Sequence, residues 1–156
     1  METTVVSYLT ARPARDVVIA GRQQSTRDWW SDAAARFELV ASELVFNEAA
    51  QGDVEAARNR MDVLTSLTPL DATWEALELA QRLVEEGAVP AVAAEDAAHI
   101  AIAVANGIEY LVTWNYRHIA NAASRSLIEK VCRSEGFEPV IICSPDELME
   151  YDHDTG

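Results

Sequence analysis

Hydrophobic and polar positions follow two rhythms along this chain. Three short β-rich runs, "FELVAS" at 37–42, "YLVTW" at 110–114 and "PVIICS" at 139–144, are each followed by polar or cap-forming residues and read as strands. Between them the spacing is helical. After Asp53, a natural N-cap, Val54, Ala57, Met61 and Leu64 recur one turn apart. Asp71 is placed to cap a second helix with Trp74, Leu77, Ala80 and Val84 as its apolar stripe, and Gly87 and Pro90 break that pattern. The segment "AEDAAHIAIAVANG" is apolar nearly all round from Ala97 to Ala105 and ends at Gly107, which describes a buried central helix with a C-terminal glycine. A last helix from near Asn121 carries Leu127, Ile128, Val131 and Cys132 on one side and stops at Gly136.

Alternating strands and helices predict an α/β fold with a mainly parallel sheet, helices on both faces, and ligands bound beyond the carboxyl ends of the strands. A chain of 156 residues fits one domain, expected over 1–150 with a disordered acidic tail at 151–156. No apolar run approaches the roughly 20 residues that span a bilayer, and "METTVVSYLTARPAR" lacks the basic and apolar regions of a secretory signal, so a cytoplasmic location is expected. Charge narrows the partners. Twelve Lys+Arg against 26 Asp+Glu give a net charge of −14, which repels nucleic acid and favours cations or basic partners. Arg12, Arg15, Arg22 and Arg27 could form a local basic patch, although a solvated helix face is the plainer reading. Cys132 and Cys143 lie too far apart for a CxxC motif and read as two reduced core thiols.

Against this apolar framework four polar residues stand out. Glu2 precedes Thr3 and Thr4, Glu48 sits among Val45, Phe46, Ala49 and Ala50, Asp96 opens the buried helix one turn before His99, and Asn115 follows a strand. Each has an ordinary alternative: a frayed terminus for Glu2, a surface position for Glu48, a helix cap bonded to His99 for Asp96, and a turn former for Asn115. Together they make a set of oxygen ligands suited to Mg²⁺ or Mn²⁺, which would serve phosphodiester hydrolysis. Arg117 and His118, beside these acids, suit contact with a phosphodiester. Trp114 reads as packing rather than as a base-stacking platform. No glycine-rich phosphate loop follows any of the strands.

At these residues the sequence resembles the PIN-domain family of metal-dependent nucleases, especially toxins of the VapC type, over nearly the whole chain. The resemblance rests on "ETT" at the start, the helical glutamate of "NEAAQGD", the "EDAAHIAIAVANG" helix and "YLVTWNYRHIAN". It implies a three-layer α/β/α sandwich, an Mg²⁺ or Mn²⁺ site, RNA as substrate, and a homodimeric toxin silenced by a small antitoxin protein. In that scheme Glu2, Glu48, Asp96 and Asn115 are the catalytic and metal residues, while Thr4, Thr113, Arg117 and His118 face the substrate. Glu2 replaces the usual Asp, and Asn115 stands where a fourth acid is often found. Only Met1 precedes Glu2, so most of a central strand is expected to be missing, through an upstream start or a shortened strand, with lowered stability as the result. The competing expectation is a PIN-fold binding protein without catalysis that grips a basic segment.

Overall fold

The computed structural model describes residues 1–149, and the tail expected at 151–156 lies outside the described residues. The elements run α1 (Thr3–Thr10), α2 (Val17–Arg36), β1 (Val40–Ser42), α3 (Glu43–Ala49), α4 (Val54–Leu64), β2 (Thr68–Leu70), α5 (Trp74–Glu85), α6 (Ala94–Ala105), β3 (Tyr110–Val112), α7 (Ala122–Ser134) and β4 (Ile141–Cys143). Short 3₁₀ turns cover Ala91–Ala93 and Pro145–Leu148. The chain is thus mixed α/β, as the alternating pattern predicts.

Local chemistry sets most helix starts. Ser42, Asp53 and Asn121 each accept a bond from a backbone N–H in the first turn, from Val45, Ala56 and Ala123 respectively. For α5 the cap is Thr73 rather than Asp71, its hydroxyl accepting from the Ala76 N–H at 3.2 Å. Half of the expected stripe of α5 holds: Ala80 and Val84 pack partly buried against the core beside the buried Leu79 and Leu83, whereas Trp74 and Leu77 are 72% and 51% exposed. Gly107 ends α6 in the left-handed region at φ 65°, where a side chain would be strained.

Among the described residues four strands form, one more than the sequence pattern announces, and they pair as two separate parallel couples. Val40 lies opposite Thr68 in β1–β2, and Tyr110 opposite Ile141 in β3–β4. The unannounced strand, β2, is three residues long and contains Pro69, which has no N–H to donate and suits a sheet edge. The β3–β4 couple has helices on both faces, since alternate residues point in opposite directions. Leu111 and Ile142 join the cluster of α5, α6 and α7, while Val112 and Cys143 join Val5, Trp29, Ala33 and Trp114. A third cluster, Val6, Ala41, Val45, Ala49 and Leu64, packs α1 against β1, α3 and α4. Both cysteines are free and buried, and burial pushes the Cys132 thiol up to about 11 and the Cys143 thiol up to about 12.

Two residues join the half-sheets. The Met1 amine donates to the Val40 carbonyl at 2.8 Å, and the Glu2 N–H donates to the Val112 carbonyl at 3.0 Å. This dipeptide is an extended stub lying between β1 and β3. Burial pulls the Met1 amine down from 8.0 to about 6, against the opposing charge of Glu2.

The sign of the resulting pH dependence follows directly. The unfolded chain holds more protons than the folded one between about pH 6 and 8, so stability is full above 8.0, falls as pH drops, and is lost below about 6. Two pH units correspond to about 2 to 3 kcal/mol. Urea unfolding across that window should show the rise with pH in the native chain and a flatter profile after Nα-acetylation of Met1; identical profiles would contradict it.

Candidate metal centre

The site is assembled at the carboxyl ends of β1 and β3, where the stub, α1, α3 and α6 meet. Glu2 is 4% exposed and held from two sides. Its Oε2 accepts from the Thr113 hydroxyl at 2.7 Å and from the Thr4 hydroxyl at 2.5 Å. Both hydroxyls also accept a backbone N–H, Thr4 from Trp114 and Thr113 from Asn115, each at 2.9 Å. Hydroxyls that both donate and accept leave each other little freedom, so the carboxylate is fixed in one orientation. The frayed-terminus alternative for Glu2 therefore does not describe the folded chain.

Glu48 lies on α3, half-buried and facing inward. His99, 4% exposed on α6, places Nε2 3.0 Å from Glu48 Oε1, and the Thr3 hydroxyl donates to Glu48 Oε2. Burial opposes ionisation of Glu48, but the bonds from His99 and Thr3 together with the charge of His99 outweigh it and hold the carboxyl below its usual range. Glu2, Glu48 and His99 each offer one ligand atom, all lying within 4.8 Å of one another.

Asp96, one turn before His99 on α6, belongs to an adjoining group. Its Oδ1 accepts from Asn115 Nδ2 at 2.9 Å, and its Oδ2 lies 2.8 Å from His118 Nδ1. Asn115 Oδ1 in turn accepts from the His118 backbone N–H at 3.1 Å. Both ends of the Asn115 amide are therefore engaged within the protein. A carboxylate accepts, so the proton in the His118 pair sits on Nδ1 and leaves Nε2 as the free nitrogen of the ring. This group borders an open cavity of about 360 Å³ lined by residues 91–96 and His118.

The four acid and amide positions expected from sequence converge, but as two linked groups rather than one shell. Thr4 and Thr113, expected to meet substrate, spend their hydroxyls holding Glu2, and Thr113 is fully buried. Arg117 is exposed. His99 is the residue that sequence reasoning leaves out of the site, naming it only, in the ordinary alternative, as a partner of Asp96; the structure gives it to Glu48. Its signal was present: it is the one imidazole in an otherwise apolar run from Ala97 to Ala105, and a buried polar ring requires a partner.

Two carboxylates and an imidazole fit a divalent cation, and the imidazole shifts the preference from Mg²⁺ toward a transition ion such as Mn²⁺.

Replacing Thr113 by Val removes the donor to Glu2 and the acceptor for the Asn115 N–H while keeping the side-chain shape. Two bonds, one of them to a carboxylate, make the expected loss about 2 to 4 kcal/mol in denaturant unfolding. Unchanged stability would mean that Glu2 is not held as described.

Comparison with known proteins finds no family model, no curated protein and no solved structure that matches this chain.

Proposed function

We propose that this chain is a divalent-metal-dependent endoribonuclease of the PIN type, the toxin of a toxin–antitoxin pair. The reading rests on the convergence of Glu2, Glu48 and His99 within 4.8 Å at the strand ends, beside the Asp96–His118 pair. Its family-level part rests on the sequence resemblance alone.

Glu2, Glu48 and His99 would hold the cation, and a cation bound there supplies an activated water and stabilises charge on the phosphodiester oxygens. Holding it means that His99 Nε2 would meet the cation in place of Glu48, with the ring proton carried on Nδ1. Thr4 and Thr113 keep the Glu2 carboxylate aimed, and Thr3 does the same for Glu48. Asp96 fixes the His118 ring, leaving Nε2 to bond a phosphate oxygen or to move a proton at the cavity. Arg117, exposed and one residue before His118, would contact the substrate backbone. A net charge of −14 opposes RNA approach and favours a basic antitoxin segment.

A second reading, a binding protein without catalysis, is favoured by one observation: Asn115 carries no charge and its amide is fully used by Asp96 and His118. Two variants separate the readings. Glu48→Gln should abolish both the rise in melting temperature with added Mn²⁺ and the cleavage of single-stranded RNA. Asp96→Asn should retain the Mn²⁺ shift but lose cleavage by about 100-fold or more. No Mn²⁺ shift and no cleavage by the native chain would overturn the nuclease reading and favour the binding one.

A further inference from the structure

Beside the acidic groups, the turn after β3 meets helix α2 through an arginine and two aromatic rings. The turn closes around Asn115, whose carbonyl accepts from the N–H groups of Ile119 and Ala120 at 3.2 and 2.8 Å. Tyr116, the next residue, is 39% exposed. The Arg22 guanidinium of α2 lies over its ring, 5.1 Å from the centroid, and 5.6 Å from the centroid of Trp114. Trp114 is buried, donates its indole N–H to the Thr26 hydroxyl at 2.8 Å, and meets the Tyr116 ring at 73°. Trp114 is therefore a packing residue, and the accessible ring is Tyr116.

Arg22 differs from most arginines of this chain in what holds it. Arg12 pairs with Glu55, Arg82 with Glu85, Glu86 and Glu135, and Arg133 with Glu129. The Arg22 guanidinium has no carboxylate or hydrogen-bond partner among the described residues. A carboxylate would hold the cation and cancel its charge, whereas aromatic faces hold it and leave the charge in place. In a chain of net charge −14, a half-buried guanidinium that is fixed but not neutralised is suited to an anion. An exposed aromatic ring beside it is suited to a base, because every base offers a π-face. Both lie next to the site. Tyr116 is one residue from Asn115, which bonds Asp96, and two from His118, whose Nε2 is free.

We propose that Arg22 and Tyr116 form a nucleotide subsite for single-stranded RNA, in which Arg22 bonds a backbone phosphate and Tyr116 stacks the attached base, adjoining the phosphate met by His118. This subsite rests on the ribonuclease reading and narrows its substrate: bases paired in a duplex are not free to stack on a protein ring, so a single strand is selected. It also gives a role to one arginine of the N-terminal group, while Arg12 is engaged by Glu55 and Arg27 donates to the Ala11 carbonyl.

The test measures fluorescence anisotropy of labelled strands of about eight nucleotides. The full chain carries Asp96→Asn so that the strand stays uncut, and Mn²⁺ is present. Oligoadenylate should bind more tightly than an abasic backbone of the same length. Tyr116→Ala should lower that preference about tenfold, and Tyr116→Phe should keep it. Arg22→Gln should reduce the slope of log Kd against log salt by about 0.7, the value for one phosphate contact on a single strand. Both Tyr116→Ala and Arg22→Gln should keep the rise in melting temperature with Mn²⁺, since neither residue offers a metal ligand. An unchanged preference in Tyr116→Ala, an unchanged slope in Arg22→Gln, or loss of the Mn²⁺ shift in either would overturn the subsite. Cleavage by the native chain, followed alongside, keeps the two readings apart: with cleavage intact those results overturn the subsite alone, whereas no cleavage and no strand binding overturn both.

Discussion

The contact on which the rest of the structure depends is the seat of Glu2. Its N–H bonds the Val112 carbonyl, its carboxylate takes the Thr4 and Thr113 hydroxyls, and the preceding amine reaches Val40. Met1 and Glu2 thereby tie β1 to β3 and deliver an acid to the place where α3 and α6 meet. Burying a carboxylate is costly unless its lone pairs are used, and here the hydroxyls that use them are themselves anchored by strand backbone. Folding of the sheet and shaping of the site are the same event.

That coupling explains why the site divides into two groups. Glu2 lies outside the strands and is placed by its hydroxyl partners and by one backbone bond to Val112. Glu48 then finds His99, because the two lie on helices that flank the stub. Asp96, displaced one turn along α6, pairs with Asn115 and His118 instead. A carboxylate in place of Asn115 would face Asp96 at close range, and like charges there would repel; the amide converts that repulsion into a hydrogen bond. The loss of a charge at Asn115 thus gives a neutral group that orders His118.

Much of this was legible in the sequence. The apolar run ending at Gly107 gives α6, Asp53 and Asn121 mark two helix starts, and the strand ends locate Glu48, Asp96 and Asn115. What escaped has physical causes. In α5, Trp74 and Leu77 are apolar but exposed, because packing against α6 selects the smaller Ala76 and the two leucines Leu79 and Leu83. In α2 the buried set includes Gln23 and Thr26, so no apolar stripe announces it. Gln23 donates to the Arg12 carbonyl and Thr26 accepts from the Trp114 indole, tertiary bonds that periodicity does not encode. The His99–Glu48 pair is of the same kind, joining residues 51 apart in sequence.

The most direct measurement of the central claim is electron paramagnetic resonance of Mn²⁺ added to the purified chain, read for nitrogen hyperfine coupling. A cation held by Glu2, Glu48 and His99 shows coupling to one imidazole nitrogen, and His99→Gln removes that signal while the fold persists. Bound Mn²⁺ without nitrogen coupling, or a coupling that survives His99→Gln, would contradict the site.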